Sequence, residues 1–576
     1  MSLMLKKVER PRELRWYQAS SMLYGDWGTS KAYVLGLAFA IAGHASLYFL
    51  AAISVLILLI GYCYSVVCKA YPDGGGVYSA LKGRSPDMAV LGALLLVADY
   101  VITASLSAVA AFHYLGFENA ALWAMGALVL IGLLNIMGPT KSGDAAAIIA
   151  IPVVGLLVFL CIAVVPHLSQ VRIEPPQGGF LDNWTKFVGI VLALSGVEAI
   201  ANVTGIMVEP VKKTAKKAIV PVMLEVTVVS LILGAAMNAI PGLEGRTEDM
   251  IRAIGEHYVG DGFGKAIGIV MSLLLLSACN TAIMGLISIF FLMAKDKELP
   301  QVFGRLNRYG MPWFSLAVGV LVPVLVLCFE HEVEHLAALY AIGVVGAITI
   351  NLGACCLNKA ISINARERWV LGIASIIMLL VEITIIFEKH NAVIFAVTVL
   401  TVGMSARAAA KWMEGRAKPE PEVLGINVVT LEEARDLMPL YKGSTLVAFK
   451  IPSDGLIEEA AVHARGKSEK VVYALFVEEK PPGWAYPNEV EPSSQAVGIL
   501  KNVVQEFEKR GITAVPLWNL GEDIGGMIVR TAKELNLDTV MIGATRRGTL
   551  ERMLRGEVLK SITTKLPREK HLVICN

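Results

Sequence analysis

Between about residue 18 and Met413 the chain is a succession of apolar runs, each close to the length that crosses a lipid bilayer. A helix rises 1.5 Å per residue and the hydrocarbon core is about 30 Å thick, so a span needs about 20 apolar residues. The runs fall near 18–42, 47–70, 88–114, 119–137, 145–166, 185–208, 218–240, 264–294, 312–329, 334–357, 369–387 and 391–413. They predict about twelve transmembrane helices, because in lipid a helix satisfies its own backbone polar groups. Beyond Met413 the composition becomes that of a water-solvated protein. Overall 55% of the 576 residues are hydrophobic and 17% charged, against about 25% charged in ordinary soluble domains. The expected division is a membrane domain over 1–413, a linker with an amphipathic segment over 414–442, and a cytoplasmic domain over 443–576.

Lys and Arg orient the spans. Basic loops such as Lys6 to Arg15, Lys212 to Lys217, Lys295 to Arg308 and Arg407 to Lys418 alternate with loops poor in Lys and Arg, around His44 and Phe117, and the acidic loop Glu330 to His335. All strongly basic loops fall on one side, which predicts a multi-pass plasma-membrane protein with both termini cytoplasmic. The N-terminus shows no cleavable signal. A net charge of +2 argues against nucleic acid as a partner. The eight Cys have no metal-ligand spacing, and adjacent Cys355 and Cys356 cannot bridge without strain. No enzyme chemistry and no resident cofactor or metal are expected.

Two spans are broken. The first contains Tyr24-Gly25-Asp26-Trp27-Gly28-Thr29-Ser30, two Gly flanking one acid; the sixth contains Leu194-Ser195-Gly196-Val197-Glu198-Ala199. Such stretches suit unwound turns between half-helices. One and six are corresponding members of two five-helix halves, and interrupted helices at corresponding positions point to a midplane transport site. Asp26 and Glu198 there would repel a substrate carboxylate. Each costs several kcal/mol buried alone, so a cation, or a proton that replaces it, is the fitting cargo. In span three Tyr100, Thr103 and Ser107 share one helix face, a stripe of oxygens suited either to a dehydrated K⁺ or Na⁺ or to interhelical hydrogen bonds. Asp99 is beside this stripe but turned off it and reads as structural. Glu225 and Glu382 lie in apolar runs with no partner legible in the sequence.

These elements resemble the K⁺ uptake permease family (KUP/HAK/KT) of the amino acid–polyamine–organocation superfamily. Tyr24 to Ser30 with Tyr33 is similar to its Gly-Asp-Ile-Gly-Thr-Ser-Pro-Leu-Tyr signature. Val101 to Ser107 is similar to its Ile-Thr-Pro-Ala-Ile-Ser, Ser195 to Ala199 to its Thr-Gly-Ala-Glu-Ala, and Leu339 to Gly346 to its Ala-Tyr-Gly-Ile-Ala-Val-Thr-Gly. The resemblance implies a LeuT-like 5+5 inverted repeat and proton-coupled potassium uptake. It also implies an ion site of Asp26, Tyr33, Tyr100, Thr103, Ser107, Ser195, Glu198 and Tyr340, with Asp26 and Glu198 coupling protons. Ala104, Ser195 and Lys31 depart from the family's Pro, Thr and Pro, and Lys31 sets a cation beside the expected site.

From Ser444 onward, Thr445–Phe449, Lys470–Phe476, Thr513–Leu517, Thr539–Ile542 and His571–Ile574 read as strands, with helices at 496–510 and 524–535. Strands alternating with helices predict a doubly wound α/β domain. The order resembles a universal stress protein, whose nucleotide-binding members seat phosphate on a Gly-x2-Gly-x9-Gly-Ser/Thr loop. By that resemblance Gly543, Arg546, Gly548 and Gly556 are the nucleotide or anion contacts. Arg546 stands for the second Gly, Glu557 for the Ser/Thr, and Lys450 for an Asp after the first strand, so ATP is not expected to bind in the usual way. Arg546, Arg547, Arg552 and Arg555 suit either an anion or a solvated helix start. Related K⁺/H⁺ symporters with such a domain are dimers regulated by cyclic di-AMP, which implies a homodimer through this domain and a regulatory nucleotide, cyclic di-AMP or ATP.

The rival function is an amino acid or polyamine permease of the same superfamily. A transport-dead membrane-anchored sensor would leave the acids in the spans without a use. His331-Glu332-Val333-Glu334-His335 fits a His-Glu-x-x-His zinc motif in composition only, since it falls in a short loop between spans.

Overall fold

The computed structural model describes residues 12, 14–74, 76–136, 142–171, 173–307, 311–416, 428–439, 441, 443–450, 453–467, 470–479, 492, 494–521, 523–543 and 558–575. Among these residues sixteen α-helices precede residue 417: α1 Trp16–Asp26, α2 Lys31–Ala42, α3 Ser46–Ala70, α4 Val77–Leu81, α5 Pro86–Leu115, α6 Ala120–Asn135, α7 Ser142–Val164, α8 Phe180–Gly189, α9 Ala199–Asn202, α10 Val211–Met237, α11 Met250–Tyr258, α12 Asp261–Lys295, α13 Trp313–Phe329, α14 Val333–Leu357, α15 Ala365–Glu388 and α16 His390–Arg416. Among the described residues eight helical runs are long and apolar enough to cross a membrane, nine when the bent pair Phe180–Gly189 and Val191–Ile206 is one span. About twelve were expected, and the difference is one of bookkeeping by length. The run Trp16–Ala70 is 55 residues, about 80 Å as a straight helix, and covers expected spans one and two with a turn at Gly43–Ala45. The apolar helices α6 and α13 are 16 and 17 residues long.

Helix α5 is the axis of the bundle. Pro86 starts it and Gly116 ends it in the left-handed region, φ 79°. Nearly every side chain from Ala89 to Tyr114 is buried, as a helix apolar all round requires. Helices α12 and α14 lie against it at glycines. A Cβ on Gly285 would sit 2.6 Å from the Tyr100 ring, and one on Gly343 2.7 Å from the Asp99 nitrogen. Small residues at such contacts let backbones approach. The outer helices expose apolar side chains, among them Ile148 and Ile162 on α7, Trp369 and Ile376 on α15, and Ile394 and Val402 on α16. That surface is suited to lipid rather than water.

The C-terminal residues form five parallel strands, β1 Thr445–Phe449, β2 Val471–Glu479, β3 Thr513–Gly521, β4 Thr539–Gly543 and β5 His571–Cys575, in the order β3-β2-β1-β4-β5. Four helices cross over between them: α18 Asp454–Gly466, α19 Ser494–Lys509, α20 Ile524–Glu534 and α21 Val558–Lys565. Successive residues of β1 point to opposite faces: Leu446 enters a core with Tyr473, Met527 and Ile528, and Val447 one with Ile457, Val503 and Phe507. Both faces are covered, which is why the strands read as continuous apolar runs. The short helix α17 Leu431–Leu437 is held by a capping box between Thr430 and Glu433. Before it, Val429 donates to Pro516 O at 2.9 Å and accepts from Trp518 N at 3.1 Å, covering the β3 edge. Phe291 of α12 shares an apolar cluster with Val428, Phe476 and Trp518.

The Gly343 contact makes a direct test of the packing. Gly343→Ala forces the α5–α14 crossing apart, an overpacking cost of about 1–3 kcal/mol. The detergent-solubilised variant is expected to unfold at a lower temperature than the unaltered protein in a thermal-shift assay. An equal midpoint would show that the crossing is looser than described.

Candidate functional site

The two broken spans meet back to back. Helix α1 stops at Asp26, Trp27–Thr29 make a single 3-10 turn, and α2 restarts at Lys31. Hydroxyls bond the carbonyls of the turn: Thr29 Oγ1 donates to Asp26 O at 2.5 Å, and Ser30 Oγ donates at 2.7 Å to Trp27 O, which also accepts the Ser30 N–H at 3.2 Å. Such local bonds are how a broken helix stays satisfied inside a membrane protein. In the sixth span, α8 is followed by a 3-10 turn to Leu194, then Ser195 in an extended conformation, then Gly196 at φ 88°, before α9. A Cβ on Gly196 would lie 2.6 Å from Trp27 N and 2.8 Å from the Asp26 carbonyl carbon. Both the positive φ and the approach require glycine. The Trp27 indole N–H also donates to Ala193 O at 3.2 Å. Asp26 is thereby held against the Ser195–Glu198 turn.

Around this contact the buried polar groups converge. Glu198, 5% exposed, has no hydrogen-bond partner on either carboxyl oxygen, and Asp99 Oδ2 has none. The carboxyls of Asp99 and Glu198 are neighbours, and Asp26 acts electrostatically on both. Thr103 Oγ1 donates to Asp99 O at 2.9 Å and reaches Oδ1 at 3.3 Å. Tyr340 and Ser195 are hydrogen-bonded through their hydroxyls, and Tyr33 lies beside Ser195 and Thr29. Asn202 Nδ2 donates to the Tyr100 hydroxyl at 3.1 Å, and Tyr64 of α3 is buried near Glu198. Three carboxylates cannot remain ionised together in a low-dielectric interior. The arrangement needs a cation, protons, or an exchange of one for the other.

Of the residues singled out in the sequence, Asp26, Tyr33, Tyr100, Thr103, Ser195, Glu198 and Tyr340 come together here. Ser107 is buried on α5, its hydroxyl has no partner, and no hydrogen bond ties it to the cluster. Asp99 does not stand apart as a structural residue: it faces Glu198. It lies one turn before Thr103 on the same side of α5 and touches the Thr103 hydroxyl, and its nearness to Glu198 of another span is something a single helix's periodicity cannot reveal. Thr103 four residues on is the one local signal. Lys31 also departs from expectation. Its ammonium is paired with Glu225 Oε2 at 2.6 Å and bonds the Tyr24 hydroxyl at 3.1 Å, so its charge is spent on α10 rather than on the site, and Glu225 has its partner.

Among the described residues no three His, Cys, Asp or Glu side chains are spaced to hold a metal ion, the His331–His335 stretch included. His335 instead pairs with Glu330 at 3.1 Å. In the C-terminal domain Gly543 ends β4 at an exposed position, next to β1, where the strand order reverses. Arg546, Gly548 and Gly556 lie outside the described residues.

Residues 14–406 match the amino acid permease family and residues 446–568 the universal stress protein family. The potassium transporter KimA of Bacillus subtilis (strain 168) is 28% identical over 383 residues, 60% of this chain and 62% of that one. The match thus spans less than two thirds of the relative's length. Among solved structures, the universal stress protein from Archaeoglobus fulgidus is 19% identical, covering 23% of this chain and 97% of its own, with a TM-score of 0.19. A universal stress protein in complex with cAMP is 16% identical over 23% of this chain and 94% of its own, with a TM-score of 0.18. With well over half of its length matched, the chain belongs to the amino acid permease family of multi-pass membrane transporters, and it carries a universal stress protein domain at its C-terminus.

Proposed function

We propose that this chain is a secondary transporter that takes up potassium with protons through a midplane site at the two broken spans of a 5+5 inverted repeat. The observation that carries the reading is the uncompensated set of buried carboxyls, Asp26, Asp99 and Glu198, with no donor on Glu198. A desolvated monovalent cation coordinated by these acids and by the hydroxyls of Tyr33, Tyr100, Thr103, Ser195 and Tyr340 removes the electrostatic cost, and protons remove it when the ion leaves. Ser107 extends the oxygen stripe along α5. The potassium-transporting relative supports the ion's identity.

The family's description as amino acid permeases favours a second reading, an amino acid or polyamine as cargo. A free amino acid brings a carboxylate toward three acids, which disfavours it; a polyamine is a cation and is the stronger rival.

We propose further that residues 1–413 form the transport domain, 414–442 the linker and 443–576 the cytoplasmic domain, with both termini on the cytoplasmic side of the plasma membrane. The cytoplasmic domain mediates a homodimer and binds a regulatory nucleotide, cyclic di-AMP or ATP. The match to the universal stress protein family and Gly543 at the carboxyl end of β4, beside the strand-order reversal where doubly wound sheets bind ligands, support the nucleotide.

Rb⁺ uptake into proteoliposomes under an inward proton gradient tests the reading. The unaltered protein is expected to accumulate Rb⁺ and to lose this when the gradient is collapsed. Asp26→Asn, Asp99→Asn and Glu198→Gln each remove a charge partner of the buried ion, worth about 3–5 kcal/mol, and are expected to lower uptake at least ~100-fold. Ser195→Ala removes one neutral hydrogen bond, about 0.5–1.5 kcal/mol, and is expected to raise the apparent KM by about 3- to 10-fold. Spermidine or amino acid uptake with none of Rb⁺ would overturn the cargo.

A further inference from the structure

Lys31 is a fully buried cation inside a membrane span: its side chain is 0% exposed and that of its partner Glu225 12%. The pair is part of a triad, since the Tyr24 hydroxyl donates to Glu225 Oε1 at 3.0 Å and accepts from Lys31 Nζ at 3.1 Å. The ammonium also lies 4.5 Å from the centre of the Tyr24 ring, a cation–π distance. Tyr24 is two residues before Asp26, at the end of α1, and Lys31 is the first residue of α2. The triad therefore straddles the break and fastens both of its edges to one carboxylate on α10. Gly28, inside the break, makes this geometry available: a Cβ there would lie 2.6 Å from the Tyr24 ring. A second close contact secures the same wall, for Met223 of α10 and the Trp27 ring both press on Gly61 of α3.

We propose that Lys31, Glu225 and Tyr24 are positioning residues, a charged clamp that locks the two halves of span one onto α10 and so fixes where Asp26 presents its carboxyl. The effect on transport rests on the cation reading above; the mechanical part does not. Lys31 acts through the backbone at residues 26–30 rather than by touching the cargo, because its charge is neutralised by Glu225. The clamp holds what the break gives up, since a helix interrupted at Asp26 has no continuous backbone ladder to fix the angle between its halves.

The test pairs a transport readout with one that needs no cargo. Single changes strand a buried charge and can fail to fold, so the informative variant is Lys31→Met with Glu225→Met, because apolar replacement of a whole buried pair is commonly tolerated. Tyr24→Phe serves as a milder second variant. Kinetics of Rb⁺ uptake separate positioning from stability: the double variant is expected to raise KM at least tenfold with Vmax changed less than threefold, and Tyr24→Phe to raise KM two- to fivefold. Labelling of Gly25→Cys by N-ethylmaleimide, in a Cys328→Ser background, reads the break directly. Gly25 is buried yet has open space for a Cβ. Its labelling is expected to accelerate at least fivefold in the double variant. Faster labelling in a protein that moves no Rb⁺ would uphold the clamp and reject the cation reading. An unchanged labelling rate, or unaltered KM in the folded double variant, would overturn the clamp.

Discussion

Gly196 has no side chain, and the backbone of the other broken span occupies the place where one would be. This contact brings the turn that bears Asp26 against the turn that bears Glu198. Everything at the site follows from it. Hydroxyls of Thr29 and Ser30 bond the carbonyls of the turn on one side. The interruption also brings carboxyls into a space that α5, α12 and α14 close off from water. The glycines at 285 and 343 let those helices come close enough for Asp99 and Tyr340 to join. Such a site is closely packed at its walls and leaves carboxyl oxygens of Glu198 and Asp99 unpaired at its centre.

The membrane architecture was legible because lipid imposes a crude rule: long apolar runs, breaks marked by glycine and one acid. Asp26 and Glu198 stood out because an acid in such a run has no bland explanation on its own helix. Asp99 was legible as an acid but not as a site residue. Its direction depends on how α5 rotates against α9 and α14, and rotation about a helix that is buried on all faces leaves no amphipathic signature. Lys31 failed in the opposite sense. One residue from Ser30 in sequence suggested proximity to the ion, yet the turn at the break sets Lys31 beside Tyr24 against α10, where Glu225 neutralises the charge. Pairings across two hundred residues are not encoded in local pattern.

The C-terminal domain shows the same boundary. The five strands begin where continuous apolar runs begin, at Thr445, near Lys470, and at Thr513, Thr539 and His571, since parallel strands covered on both faces cannot alternate. The strand order β3-β2-β1-β4-β5 follows from right-handed crossovers on either side of β1. Less foreseeable was Val429, a residue ahead of the domain that pairs with the β3 edge, since a single bridging residue leaves no periodic trace.

The central claim is that Asp26, Asp99 and Glu198 form one electrostatic unit whose charge is balanced by protons or by a monovalent cation. The most direct measurement is proton release from purified protein in weakly buffered detergent on addition of K⁺, followed with a pH indicator. The account predicts release of protons on K⁺ binding, with none after Asp26→Asn, Asp99→Asn and Glu198→Gln are combined. No release with K⁺, or the same release from the triple variant, would contradict it.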